Sequence, residues 1–144
     1  MMAEGFIMAT IFVGVLPGYF RILPLAFILI LLALLMVTVW QIIIGLLAFW
    51  FEEVNPFYLI YQKMVFVIGG MLIPVDFFPA WLQPLAKYSP FAFSSYWPAV
   101  TFVKFSWARF FTCLAGQAFY IALLFGAALL LFKGARKKVQ VQGG

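Results

Sequence analysis

All thirty residues from Ile22 to Phe51 are uncharged, and Leu, Ile, Ala, Phe and Val make up most of them. Wound as one helix rising about 1.5 Å per residue, that run extends about 45 Å. A bilayer's hydrocarbon core is only about 30 Å thick, so such a helix crosses it and must tilt or project at one end. No other feature constrains the fold as strongly. Lipid offers no partners for free backbone groups, so the rest of the chain must satisfy its own N–H and C=O groups wherever it enters the core. Composition points the same way. With 67% hydrophobic and 9% charged residues, too few polar side chains remain to clothe a water-facing domain. The 144 residues make one transmembrane unit, 1–144.

Three further stretches read as spans. Residues 5–20 form a short one that breaks at Pro17-Gly18; it lacks a basic n-region and an Ala-x-Ala site, so it does not read as a signal peptide. Arg21 and Pro24 then mark a tight connection into the long run 22–51. After Glu52-Glu53, Asn55 can cap and Pro56 suits a first helical turn, opening a span over 57–73. Residues 110–132 form the last span, followed by a basic and then polar tail, 133–144. Between the last two spans, 74–109 holds Pro74, Pro79, Pro84, Pro90 and Pro98 together with Trp81, Trp97 and Trp107. Proline removes a backbone donor and clashes with the preceding turn, while tryptophan favours the membrane interface. This segment therefore reads as short helices that lie in the interface or dip in and return. The expected fold is all-α: a polytopic bundle of about four transmembrane helices with a proline-broken re-entrant segment before the last.

The net charge of +5 comes from scarce acids, not from a basic face for nucleic acid. The one dense basic run, Lys133, Arg136, Lys137 and Lys138, reads as a juxtamembrane anchor and places the C-terminus inside. The far side of the bundle would then carry Arg21, Lys87, Lys104 and Arg109, four bases against four, so the density of the tail decides. The chain has no His, a lone Cys113, adjacent acids Glu52-Glu53 that diverge on a helix, and serines (Ser94, Ser95) without a base nearby in sequence. It also lacks a phosphate-cradling glycine loop. No catalytic, metal or cofactor site is expected. Within the spans, Thr38, Gln41 and Gln117 read first as hydrogen-bonding glue between helices and second as groups lining a path. Ala118, Ala122 and Gly126, four residues apart, form a small-residue stripe for close helix packing. Asp76 can cap a following short helix, with a gate role second.

Phe49-Trp50-Phe51-Glu52, then Gly69-Gly70-Met71-Leu72-Ile73-Pro74-Val75-Asp76-Phe77-Phe78-Pro79-Ala80-Trp81-Leu82, then Ser89-Pro90-Phe91 and Tyr96-Trp97-Pro98, resemble the permease subunits of ABC-2 type exporters. The resemblance covers residues 49–98, and the flanking spans fit it in length and order. It implies a transmembrane subunit, in a bacterial or archaeal cytoplasmic membrane, that pairs with a second permease copy and with two ATP-binding-cassette ATPase subunits. ATP would be bound and hydrolysed on those partners. Gly69, Gly70, Pro74, Pro79, Pro90, Phe91 and Pro98 are carried over as residues that shape an extracellular gate region. A full permease of this type runs to roughly twice this length with six spans, so the chain corresponds to the C-terminal four-span portion, either as a truncated permease or as a half-size subunit. The alternative reading is a small membrane scaffold or assembly subunit that transports nothing itself.

Overall fold

The structure is a computed structural model and describes residues 19–142; most of the expected first span, 5–20, lies outside the described residues. Every described element is helical. Helix α1 (Tyr19–Leu46) runs into a 3-10 turn (Leu47–Phe49) and ends at the polar break Glu52-Glu53. Arg21 and Pro24, expected to mark a connection, lie inside α1. Pro24 is the sixth residue, so the one donor it removes belongs to a turn next to the helix start.

Helix α2 (Asn55–Val67) follows. Its N-cap is Val54, and Asn55, the expected cap, is already helical, with Pro56 in the first turn. It spans 13 residues, about 20 Å, and cannot cross a core of about 30 Å alone. The expected span 57–73 therefore stops short, at the Gly69-Gly70 turn. A 3-10 turn (Val75–Phe77) and three short helices, α3 (Leu82–Lys87), α4 (Pro90–Ser94) and α5 (Tyr96–Val103), make up the proline-rich segment. Helix α6 (Trp107–Gln142) completes the chain. Two stretches, Ile22–Phe49 and Trp107–Lys137, are long and apolar enough to cross a membrane.

The two long helices form the spine. On α1 the buried positions are Ala26, Leu29, Ala33, Met36, Val39 and Ile44; on α6 they are Phe110, Cys113, Gln117, Leu124, Ala128 and Ala135. Steps of three and four, with one of five, along α1, and of three, four and seven along α6, make a narrow seam between the two helices. Leu29 packs with Phe110 and Cys113, Met36 and Val39 with Leu124, and Trp50 lies against Gly134. Residue numbers rise together along the two helices, so α1 and α6 are parallel. The chain between them, 50–106, must therefore make one net return crossing, which α2 and the broken segment accomplish jointly.

Four of the buried positions on these two helices are small: Ala26, Ala33, Ala128 and Ala135. Ala118 and Ala122 are exposed, and a Cβ added at Gly126 would meet nothing within 4 Å. That stripe faces away from α1. The remaining faces of both helices carry large apolar side chains such as Phe27, Leu34, Phe119 and Leu130, each more than half exposed, as a lipid-facing surface requires.

Candidate functional site

Broken backbone at membrane depth survives only where its polar groups find partners inside the protein. Several carbonyls of the proline-rich segment find side-chain partners within the protein. Helix α4 lies level with the middle of α1, where Phe93 packs among Met36, Val39 and Leu124. The Gln117 side-chain amide donates to the Phe93 carbonyl and to the Leu29 carbonyl, both at 3.0 Å. One wholly buried side chain thus ties α6 to α4 and α1.

Other freed carbonyls are met the same way. Ser94 and Ser95 hydroxyls donate to the Phe91 carbonyl at 2.7 and 3.0 Å, and Ser95 also reaches the Gly69 carbonyl at 2.6 Å. The Trp97 indole donates to the Lys87 carbonyl at 2.8 Å, and the Tyr120 hydroxyl to that of Tyr88. The Gln83 amide closes the preceding turn by donating to the carbonyls of Asp76 and Phe78 at 3.0 and 2.9 Å. Where such a carbonyl is buried, leaving it unpaired would cost about 1–3 kcal/mol.

The glycines and prolines fix the path between these ties. A Cβ on Gly69 would sit 2.2 Å from the Val65 carbonyl oxygen and 2.6 Å from Ser95 Oγ, so no larger residue fits. Gly70 has φ of 72°, a left-handed conformation that costs other residues about 1–2 kcal/mol. Pro74, extended at ψ 136°, leads into the 3-10 turn. The Pro79 carbonyl accepts from Leu82 and Gln83 N–H at 2.8 and 3.1 Å, starting α3. Pro90 opens α4 beside Ser89, whose hydroxyl accepts from Ala92 N–H at 3.2 Å. Pro98 falls in the first turn of α5, where a missing donor is tolerated. Phe91 stacks on Trp40, centroids 5.5 Å apart, and leans on Tyr61, joining the segment to α1 and α2. Gly116, not expected to matter, is the closest approach of all. A Cβ there would stand 2.0 Å from the Phe93 ring, so α4 and α6 meet only because that side chain is absent.

An ionic cluster closes the same segment. Asp76 pairs with Lys87 at 2.8 Å and accepts from the Tyr96 hydroxyl at 3.1 Å. The Lys87 ammonium, and then Tyr96, hold the Asp76 carboxyl below its ordinary range; Asp76 in turn raises Lys87. Burial, and then Asp76, push the Tyr96 hydroxyl upward. Asp76 therefore ties the 3-10 turn to α3 and α5, and is not the helix cap its position suggested.

Of the polar residues expected inside spans, only Gln117 bonds between helices. The Thr38 hydroxyl donates to the Leu34 carbonyl of its own helix at 2.9 Å, and Gln41 is exposed. The chain matches the sequence profile of the family described as ABC-2 family transporter protein over residues 6–143. No curated protein and no solved structure matches it.

Proposed function

The chain belongs to the ABC-2 transporter family, and from that premise we propose that it is the membrane-spanning part of an ATP-driven exporter. In this reading two permease units face one another and enclose the path, and separate ATP-binding-cassette ATPase subunits bind and hydrolyse ATP. The C-terminal basic cluster lies on the cytoplasmic side of a bacterial or archaeal membrane. The small-residue face of α6, with Ala118 and Ala122 exposed and Gly126 part-buried, suits the approach of a further helix. Thr38 and Gln41, exposed on α1, are the polar positions available to a path.

What supports the reading is the proline-broken segment itself, which we read as re-entrant. A helix broken at Gly69-Gly70 and returned to mid-depth through α4 requires a dedicated set of carbonyl partners, from Ser95 to Gln117. A passive scaffold needs no such element, whereas a gate needs backbone that can be held at two depths. Interfaces and packed cores are bistable, which lets a small displacement at one end become a rearrangement at the other.

Co-expression with an ATP-binding-cassette ATPase encoded beside it tests this. The complex is expected to co-purify, to hydrolyse ATP faster than the ATPase alone, and to lose ATP-driven transport when Gly69→Ala displaces the segment. A chain that forms stable membrane hetero-oligomers but binds no ATPase would instead be the scaffold or assembly subunit.

A further inference from the structure

Helices α1 and α2, joined through the Trp50–Glu53 break, leave a groove of about 250 Å³ between them, with Phe91 of α4 also in its lining. Trp40 and Ile43 line one wall, Phe57, Ile60, Tyr61 and Met64 the other, and almost nothing polar is exposed within it. Ile60 and Met64 are exposed at its rim, so it opens sideways onto the surface that faces lipid. Two of its lining residues carry an unmet need. The Trp40 indole N–H and the Tyr61 hydroxyl are both buried and have no hydrogen-bond partner. An unpaired polar group in an apolar setting is destabilising, yet here two lie beside one another, ring centroids 5.5 Å apart.

We propose that the groove holds one acyl chain of an anionic phospholipid, whose ester carbonyl supplies the acceptor that Trp40 and Tyr61 lack. Three observations select this occupant. The volume falls below the roughly 300–1,000 Å³ of sites for compact drug-sized ligands, and the shape is a cleft between two helices, which suits a single chain. The missing partner is an acceptor, and Tyr61 lies six residues, about 9 Å, inside the start of α2, on the side of the molecule where that helix begins. Lys133, Arg136 and Lys137 lie at the same end of the molecule, since Gly134 touches Trp50, and bases so placed attract anionic headgroups. The site does not depend on export, so its failure would leave the transport reading untouched, and failure of ATPase binding would leave the site untouched.

Native mass spectrometry of the full chain from vesicles of equal phosphatidylglycerol and phosphatidylcholine tests it. One phospholipid per chain is expected to survive transfer, phosphatidylglycerol in preference. Ile43→Trp, which fills the groove, is expected to remove it. Trp40→Phe with Tyr61→Phe, which keeps the rings and deletes both donors, is expected to weaken retention by about tenfold. Replacing Lys133, Arg136 and Lys137 by Gln is expected to abolish the headgroup preference while leaving the chain occupied. Circular dichroism and elution volume matching the parent establish that each variant has folded. Should Ile43→Trp misfold, Ile60→Trp fills the groove from its rim. Equal lipid retention by a folded, filled variant would overturn the proposal. So would a disulfide between two copies of an Ile60→Cys, Cys113→Ala chain that excludes lipid, since a second copy would then be the occupant.

Discussion

At the scale of single residues, chemistry alike in sequence separates by depth and partner. Gln41 and Gln117 are both uncharged amides in apolar helices, yet one is exposed and the other wholly buried with two carbonyls on its amide. Gln117→Leu therefore leaves two buried acceptors short of a donor and is expected to cost about 1 kcal/mol or more. Gln41→Leu should change stability by less than about 0.5 kcal/mol. Unfolding midpoints of the two variants in a denaturing-detergent titration check the contrast; equal midpoints would remove Gln117 from the pinning network. Asp76 acts differently. Lys87 holds its carboxyl below the ordinary 3.8, so the stability it contributes is complete above that value and is lost as pH falls through the lower, folded one. Because the pair is exposed, the effect is under about 1 kcal/mol. Asp76→Asn should flatten this acid-side loss, read as unfolding midpoint against pH.

At the scale of elements, two close approaches decide where the broken segment sits. Gly69 lets the end of α2 press onto Ser95, and Gly116 lets α6 press onto Phe93. Gly116→Ala drives a methyl into the Phe93 ring and is expected to destabilise by about 1–3 kcal/mol, the cost of overpacking a filled core. Thermal unfolding of the variant in nanodiscs checks this, and Phe93→Leu in the same chain should recover part of the loss. The sequence made the proline-broken segment legible, because proline density excludes a straight span whatever surrounds it. It also made Gly69, Gly70 and Pro74 legible, as a turn with demanding backbone. It did not reveal Gly116, Ser95, Trp97 or Tyr120. Their roles arise from contacts 10 to 32 residues away in the chain, as between Trp97 and Lys87 or Tyr120 and Tyr88, and no local pattern announces them.

At the scale of the whole molecule, hydropathy found the two long helices but not the faces they share. Both are apolar around their full circumference, so burial leaves no periodic mark. The small-residue stripe at Ala118, Ala122 and Gly126 lies off the seam between α1 and α6, where the buried small residues are Ala26, Ala33, Ala128 and Ala135. The expected span 57–73 likewise became a 13-residue helix that shares its crossing with the segment after it. Both outcomes belong to the same arrangement: α1 and α6 run parallel, and everything between them makes a single return. That arrangement places the acidic break at Glu52-Glu53 and the basic end of α6 on one side. It places the turn at Lys104, where α5 gives way to α6, on the other, and any gate formed by the re-entrant segment must work between those two sides.

Side-specific labelling tests that arrangement most directly. Cys113 is the chain's one cysteine and is buried, so a Cys113→Ala background accepts single cysteines at Glu53, Lys104 and Lys137, all exposed. In sealed vesicles of uniform orientation, an impermeant maleimide is expected to label positions 53 and 137 from the same side and position 104 only from the opposite side. Labelling of 53 and 137 from opposite sides, or of all three from one, would contradict the parallel pairing of α1 and α6 and the re-entrant segment built upon it.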